Sequence, residues 1–229
     1  MQKTIALYGI LLAFFTGCAN MSTLQTARTL PEKTFRVSAG AGLFSFPELK
    51  NSGASGGTVT HSSTLPYLEI GGRMGIQQGL EVGGKLTFPS TLAIDAKYQL
   101  TESEKFASAI GLGASYIAIA ASPNSSSGVD AEALDAILPL YLSYDFTPGV
   151  GIYSSPKFVF RYVTGPESKT YELAGMSVGA RFGDEMGFFV EGTWMKYLNT
   201  TTNDAYQFNA AFFFGNAPSV PKIGGTEQN

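Results

Sequence analysis

The chain has 229 residues, enough for one domain or two, with 14% charged residues, 13% aromatics, 27 glycines and a net charge of −3. Ordinary soluble domains carry about 25% charged residues, so the composition suits a β protein whose outer surface meets something other than water. The small net charge and the lack of a basic cluster argue against a nucleic-acid partner.

The N-terminus reads as a targeting segment. Lys3 supplies a short positive region, and Ile5 to Phe15 is an apolar run of 11 residues, too short to cross a bilayer core of about 30 Å as a helix. The run ends in Phe15-Thr16-Gly17-Cys18, and Cys18 is the only cysteine, so no internal disulfide is expected. These four residues resemble a bacterial lipoprotein lipobox, which implies cleavage before Cys18 and lipid, palmitate included, on that residue. Ala19 follows, where Asp would imply retention in the inner membrane. Residues 1–17 are thus expected as a signal peptide, 18–33 as a lipid-anchored polar tether, 34–215 as the folded unit and 216–229 as a disordered tail.

The first strand is expected at 34–46, with Phe35, Val37, Ala39, Ala41 and Leu43 on one face and Arg36, Ser38, Gly40 and Gly42 on the other. A loop rich in Gly, Ser, Thr and Asn covers 47–64. Residues 65–100 then form three strands with the clearest alternation in the chain. Odd positions are polar or small (Glu69, Gly71, Arg73, Glu81, Gly83, Lys85, Asp95, Lys97, Gln99), and even positions are mostly apolar (Leu68, Ile70, Met74, Leu80, Val82, Leu86, Leu92, Ile94, Tyr98). A strand turns alternate side chains to opposite faces, so each has one polar and one apolar face. Turns centred on Gln77 and Ser90 would align two rows, Glu69–Lys85–Asp95 and Arg73–Glu81–Gln99. Opposite charges paired across strands contribute about 0.2 to 1 kcal/mol each. Such a ladder either fills and neutralises an interior or lines a narrow polar constriction.

A fifth strand is expected at 105–120 and a polar loop at 122–133. Strand six, near 134–146, sets Leu138, Leu140, Leu142 and Tyr144 against Asp135, Tyr141, Ser143 and Asp145. Strand seven, 150–164, sets Phe158, Phe160 and Tyr162 against Lys157 and Arg161, with Pro156 predicting a bulge or early break. Strand eight, 170–182, turns Ala174, Met176, Val178 and Phe182 outward and leaves Arg181 on the other face. Strand nine, 186–198, sets Phe188, Val190 and Trp194 against Glu191, and strand ten, 205–215, sets Tyr206, Phe208, Phe212 and Phe214 against Gln207 and Asn209.

Ten strands, an even count, with longer connections on alternate sides predict an all-β fold: an antiparallel, up-and-down transmembrane β-barrel. A soluble lipocalin-like barrel shows the same alternation with inside and outside exchanged, but its polar face would need dense Lys, Glu and Asp. Here that face is mostly Gly, Ala and Ser. The other face carries the aromatics, often near strand ends, among them Phe35, Tyr67, Phe88, Tyr98, Phe146, Trp194 and Tyr206. The polar face is therefore assigned to the lumen, with Arg36, Asp135, Asp145, Lys157, Arg161, Arg181 and Glu191 joining the ladder there.

Strands of the type LEIGGRMGI, GLEVGGKL and LAIDAKYQL, together with Cys18, resemble small outer-membrane β-barrel proteins of Gram-negative bacteria, in a lipoprotein variant. The resemblance implies a monomer in outer-membrane lipid, served by the barrel-assembly and lipoprotein-export machineries. Phe212 and Phe214 fit the terminal aromatic that assembly reads, although residues 215–229 follow. The single histidine, His61, sits in a loop beside Ser62 and Ser63 and reads as a solvated residue. No metal-ligand spacing or phosphate loop is present, so neither cofactor nor enzymatic activity is expected. Eight strands already let side chains fill a barrel, so ten imply at most a narrow passage. The expected role is a structural or porin-like small-solute barrel, with surface recognition through loops 47–64 and 122–133 as the alternative.

Overall fold

The computed structural model describes residues 21–47, 62–88, 90–119, 131–164, 168–199 and 204–218. The expected signal peptide, Cys18, His61, most of both long loops and tail residues 219–229 lie outside the described residues.

The strands are β1 (Phe35–Pro47), β2 (Ser62–Gln77), β3 (Leu80–Phe88), β4 (Thr91–Glu102), β5 (Phe106–Ile119), β6 (Ala131–Thr147), β7 (Val150–Thr164), β8 (Lys169–Gly183), β9 (Met186–Tyr197) and β10 (Ala205–Gly215). Each pairs antiparallel with its sequence neighbours, and β1 pairs with β10 from Arg36↔Gly215 to Ser45↔Tyr206, which closes the barrel. Closure leaves no edge with unpaired backbone groups.

Period-two alternation sorts the side chains in the inverse of a soluble protein. Phe212 is 71% exposed and Leu112 62%, whereas Lys97 is 1% and Glu191 2% exposed. Buried charges on this scale need partners, and the lumen supplies them.

The two mouths differ. The start of β1, the end of β10 and the connections 78–79, 103–105, 148–149 and 184–185 gather at one end, here the turn mouth. The connections 48–61, 89–90, 120–130, 165–168 and 198–204 join strands at the other, the loop mouth. Gly79 (φ 78°) and Gly183 (φ 103°) occupy the left-handed region at the turn mouth, where a side chain would be strained.

Four expectations need correction. Pro156 neither breaks nor bulges β7. It stands opposite Met176, and pairing with β6 keeps one register on both sides of it, Pro139↔Lys157 and Leu142↔Ser154. The proline removes one donor without adding a residue. Register shifts fall instead at Gly75/Gln77, Gln99/Thr101 and Asp145/Thr147, all next to the turn mouth. Tyr67, expected on the outer face, is buried in the lumen, where its hydroxyl accepts a hydrogen bond from Gln207 Nε2 at 2.5 Å. The first residues of the expected tail are fastened: the Asn216 amide donates to the Phe35 carbonyl at 3.0 Å, and Asn216 Oδ1 accepts the Phe35 amide at 3.2 Å. Finally, the described part of the expected polar tether, residues 21–33, is no free linker. Residues 21–31 run inside the barrel, and Glu32 and Lys33 are exposed where the chain turns beneath it.

Candidate functional site

The lumen is occupied by the chain's own residues 21–31, which run from the loop mouth to the turn mouth. Met21 packs into an apolar ring with Phe44, Tyr67, Ile117, Leu173 and Met195, all near strand ends at the loop mouth. Its amide donates to Gln207 Oε1 at 2.9 Å, and its carbonyl accepts from Lys157 Nζ at 2.7 Å. Lys85 Nζ donates to the Ser22 carbonyl at 2.7 Å, and the Ser22 hydroxyl donates to Glu69 at 2.8 Å. The Glu191 carboxylate accepts the Thr23 and Leu24 amides, both at 2.7 Å, and the Tyr153 hydroxyl at 2.9 Å. Lys97 Nζ donates to the carbonyls of Thr26 and Arg28 at 2.9 Å, while the Ala27 amide reaches Ser143 Oγ at 3.3 Å.

Near the turn mouth the segment brings its own charge. Arg28 Nε donates to Asp145 at 2.6 Å, Nη1 to Glu102 at 3.1 Å, and Nη2 to the carbonyls of Ser103 and Glu104 at 2.9 and 2.8 Å. The Thr29 amide donates to Gln99 Oε1 and the Leu30 amide to Glu81, both at 2.8 Å. The chain then turns under the barrel: the Lys33 amide bonds the Gly75 carbonyl at 2.9 Å, and the Gly75 amide bonds the Thr34 carbonyl at 3.0 Å. Glycine is required at 75 by space, because a Cβ there would stand 2.1 Å from the Pro31 carbonyl oxygen.

The wall thus holds the segment largely by its backbone. An extended chain has no internal partners for its N–H and C=O groups, and buried ones cost free energy unless bonded. Lumen carboxylates and amides take the N–H groups, and lumen lysines take the carbonyls. Little space remains. One cavity of about 90 Å³ lies beside Ser22, Gln25, Asp95 and Lys157, and another of about 30 Å³ lies beside Arg28 and Arg36. Each has room for a few waters.

The residues assigned to the lumen from sequence all turn inward, but the ladder differs in register. Glu69 faces Thr87 and Gly71 faces Lys85 across β2–β3; Glu81 faces Lys97 and Lys85 faces Ala93 across β3–β4. Both registers stand two residues from the expected ones, because the first turn includes Gly79 and the second is residues 89–90. A shift of two keeps every face and changes every partner. Long side chains recover two of the expected pairs diagonally: Arg73 bonds Glu81, and Lys85 lies 3.7 Å from Glu69. The expected Lys85–Asp95 link gives way to Arg73, whose Nη2 is 2.6 Å from Asp95, and Glu81 pairs with Lys97 at 3.1 Å in place of Gln99. Gln99 serves the segment.

Elsewhere on the wall, Arg161 grips Asp135 through Nε at 2.8 Å and Nη2 at 2.7 Å. Arg181 reaches Asp145 at 3.1 Å. Arg36 donates to the carbonyls of Asp184 and Asn216 at 3.0 and 2.8 Å, with its guanidinium 4.6 Å from the Phe213 ring centre. Sequence reasoning missed Arg28, Glu102 and Tyr153, and with them the whole lumen segment. One signal was available: between Cys18 and Pro31 the only charge is Arg28, a poor composition for a tether in water.

A closed antiparallel barrel with an apolar exterior and a charged, occupied lumen defines a membrane-type β-barrel. Two solved structures resemble the fold. An outer membrane channel from Pseudomonas putida F1 matches with 10% identity and a TM-score of 0.46, covering 85% of this chain and 99% of that one. The translocator domain of the autotransporter NalP from Neisseria meningitidis matches with 9% identity and a TM-score of 0.43, covering 81% and 90%. No family model and no curated protein matches the chain.

Proposed function

We propose that this chain is a monomeric, non-enzymatic β-barrel lipoprotein of the bacterial outer membrane, a structural barrel held shut by its own N-terminal segment. The observation that carries this reading is the run of Met21 to Pro31 through the lumen, bonded to wall residues on most of its length. The apolar exterior supports a place in lipid, since the outward band of Ile70, Ile94, Leu112, Phe208 and Phe212 is more than half exposed in each case. The Phe15–Cys18 sequence supports lipid on Cys18. Membrane lipid and the assembly and export machineries are its partners. Solute passage, on this reading, requires the segment to leave.

Planar-bilayer conductance tests it. The full-length barrel should show no conductance steps. A variant lacking residues 21–30, shown by heat-modifiable gel migration to be folded, should conduct. Steps from the full-length protein, or their absence from the folded deletion variant, would overturn the plug.

A further inference from the structure

The direction of the segment determines a side of the membrane. Met21 is bonded to Gln207, which lies two residues from the start of β10 at the loop mouth and eight from Gly215 at the turn mouth. Eight strand residues cover about 26 Å along β10, or roughly 20 Å along the axis of a barrel whose strands tilt by about 40°. Cys18 lies three chain steps before Met21, and a fully extended chain of that span covers about 11 Å at most. Cys18 therefore cannot return to the turn mouth. A doubled chain has no room either, since the cavity beside Ser22 and Gln25 is only about 90 Å³. Short turns mark the periplasmic end of such barrels and longer loops the external end.

We propose that the chain ahead of Met21 leaves through the loop mouth, so that Cys18 and its lipid are displayed on the outer surface of the cell, and the turn mouth faces the periplasm. This rests on the reading of Cys18 as lipidated and of the barrel as an outer-membrane protein. The anchor then lies on the opposite side of the membrane from the point where β1 begins.

The test uses the full-length protein in the outer membrane of intact Gram-negative cells, with a short epitope inserted between Ala19 and Asn20. Antibody should bind intact cells as strongly as cells with a permeabilised outer membrane; binding only after permeabilisation would overturn the proposal. Because an insertion can disturb folding, a second variant carries none. Thr23 Oγ1 and Ser177 Oγ are 3.2 Å apart, so a Thr23→Cys, Ser177→Cys protein should oxidise to a disulfide that retards unfolding on a gel. Failure to cross-link in a folded barrel would remove the seated segment and the proposal with it. Radiolabelled palmitate separates the two readings. Label present in the native protein and absent from Cys18→Ser supports the lipid. Its absence from the native protein overturns the lipid anchor, while antibody binding still decides the exit of the chain.

Discussion

The two ends of the lumen hold the same segment by different means. At the turn mouth the segment contributes a charge: Arg28 is 2% exposed and is held by Asp145, Glu102 and two turn carbonyls. At the loop mouth the segment is neutral. It offers Met21 to an apolar ring and its carbonyls to Lys157 and Lys85. Ion pairs toward that end, Asp135 with Arg161 and Glu69 with Lys85, tie wall strands to one another, β6 to β7 and β2 to β3. A buried ion pair with several further hydrogen bonds fixes one geometry, whereas an apolar ring and ammonium–carbonyl bonds tolerate small displacements. The turn end, where the chain is also joined to β1, is therefore the fixed end, and the loop end is where the segment would loosen first.

Three substitutions test that ordering. Arg28→Ala should have the largest effect, about 3 to 5 kcal/mol, because Glu102 loses a partner and Asp145 is left, among the described residues, with Arg181. The urea midpoint of the heat-modifiable folded form reads this. A midpoint no lower than that of Met21→Ala would break the comparison. Met21→Ala should cost about 2 kcal/mol, the lower range for truncating a buried methionine, and should raise the frequency of brief conductance openings while leaving the turn end seated. Thr29→Ala should cost about 1 kcal/mol or less. Its hydroxyl shares Gln99 Oε1, at 3.1 Å, with its own amide, and the amide bond survives the change. A larger loss at Thr29 would show that the fixed end depends on neutral bonds as much as on charge.

The strands and their faces were legible in the sequence because alternation is a local property. Lys97 and Tyr98 differ in face whatever they pair with. Register was less legible. The choice between Gln77 and a turn containing Gly79 moves every cross-strand partner by two and leaves every face unchanged, so the pattern of polar and apolar residues cannot decide it. Tyr67 shows the opposite limit. An aromatic near a strand end suits a membrane interface, and only the paired neighbour Gly42, over which its ring lies, and Gln207 reveal that it belongs inside.

The lumen segment was hidden for a further reason. Residues 21–31 have no period of their own, and their partners stand far off in the chain: Gln99 is 70 residues from Thr29, and Gln207 is 186 from Met21. Nothing local to Leu24 or Arg28 announces a carboxylate waiting across a barrel. By itself the sequence determined ten strands, a polar inner face and an apolar outer one, because side-chain alternation and turn composition act over a few residues. Only the tertiary structure decided which charges pair, that the interior is filled by the chain's own N-terminal segment, and which way that segment runs. Those depend on closure, which brings distant residues together and forces every buried charge and backbone group to find its partner there.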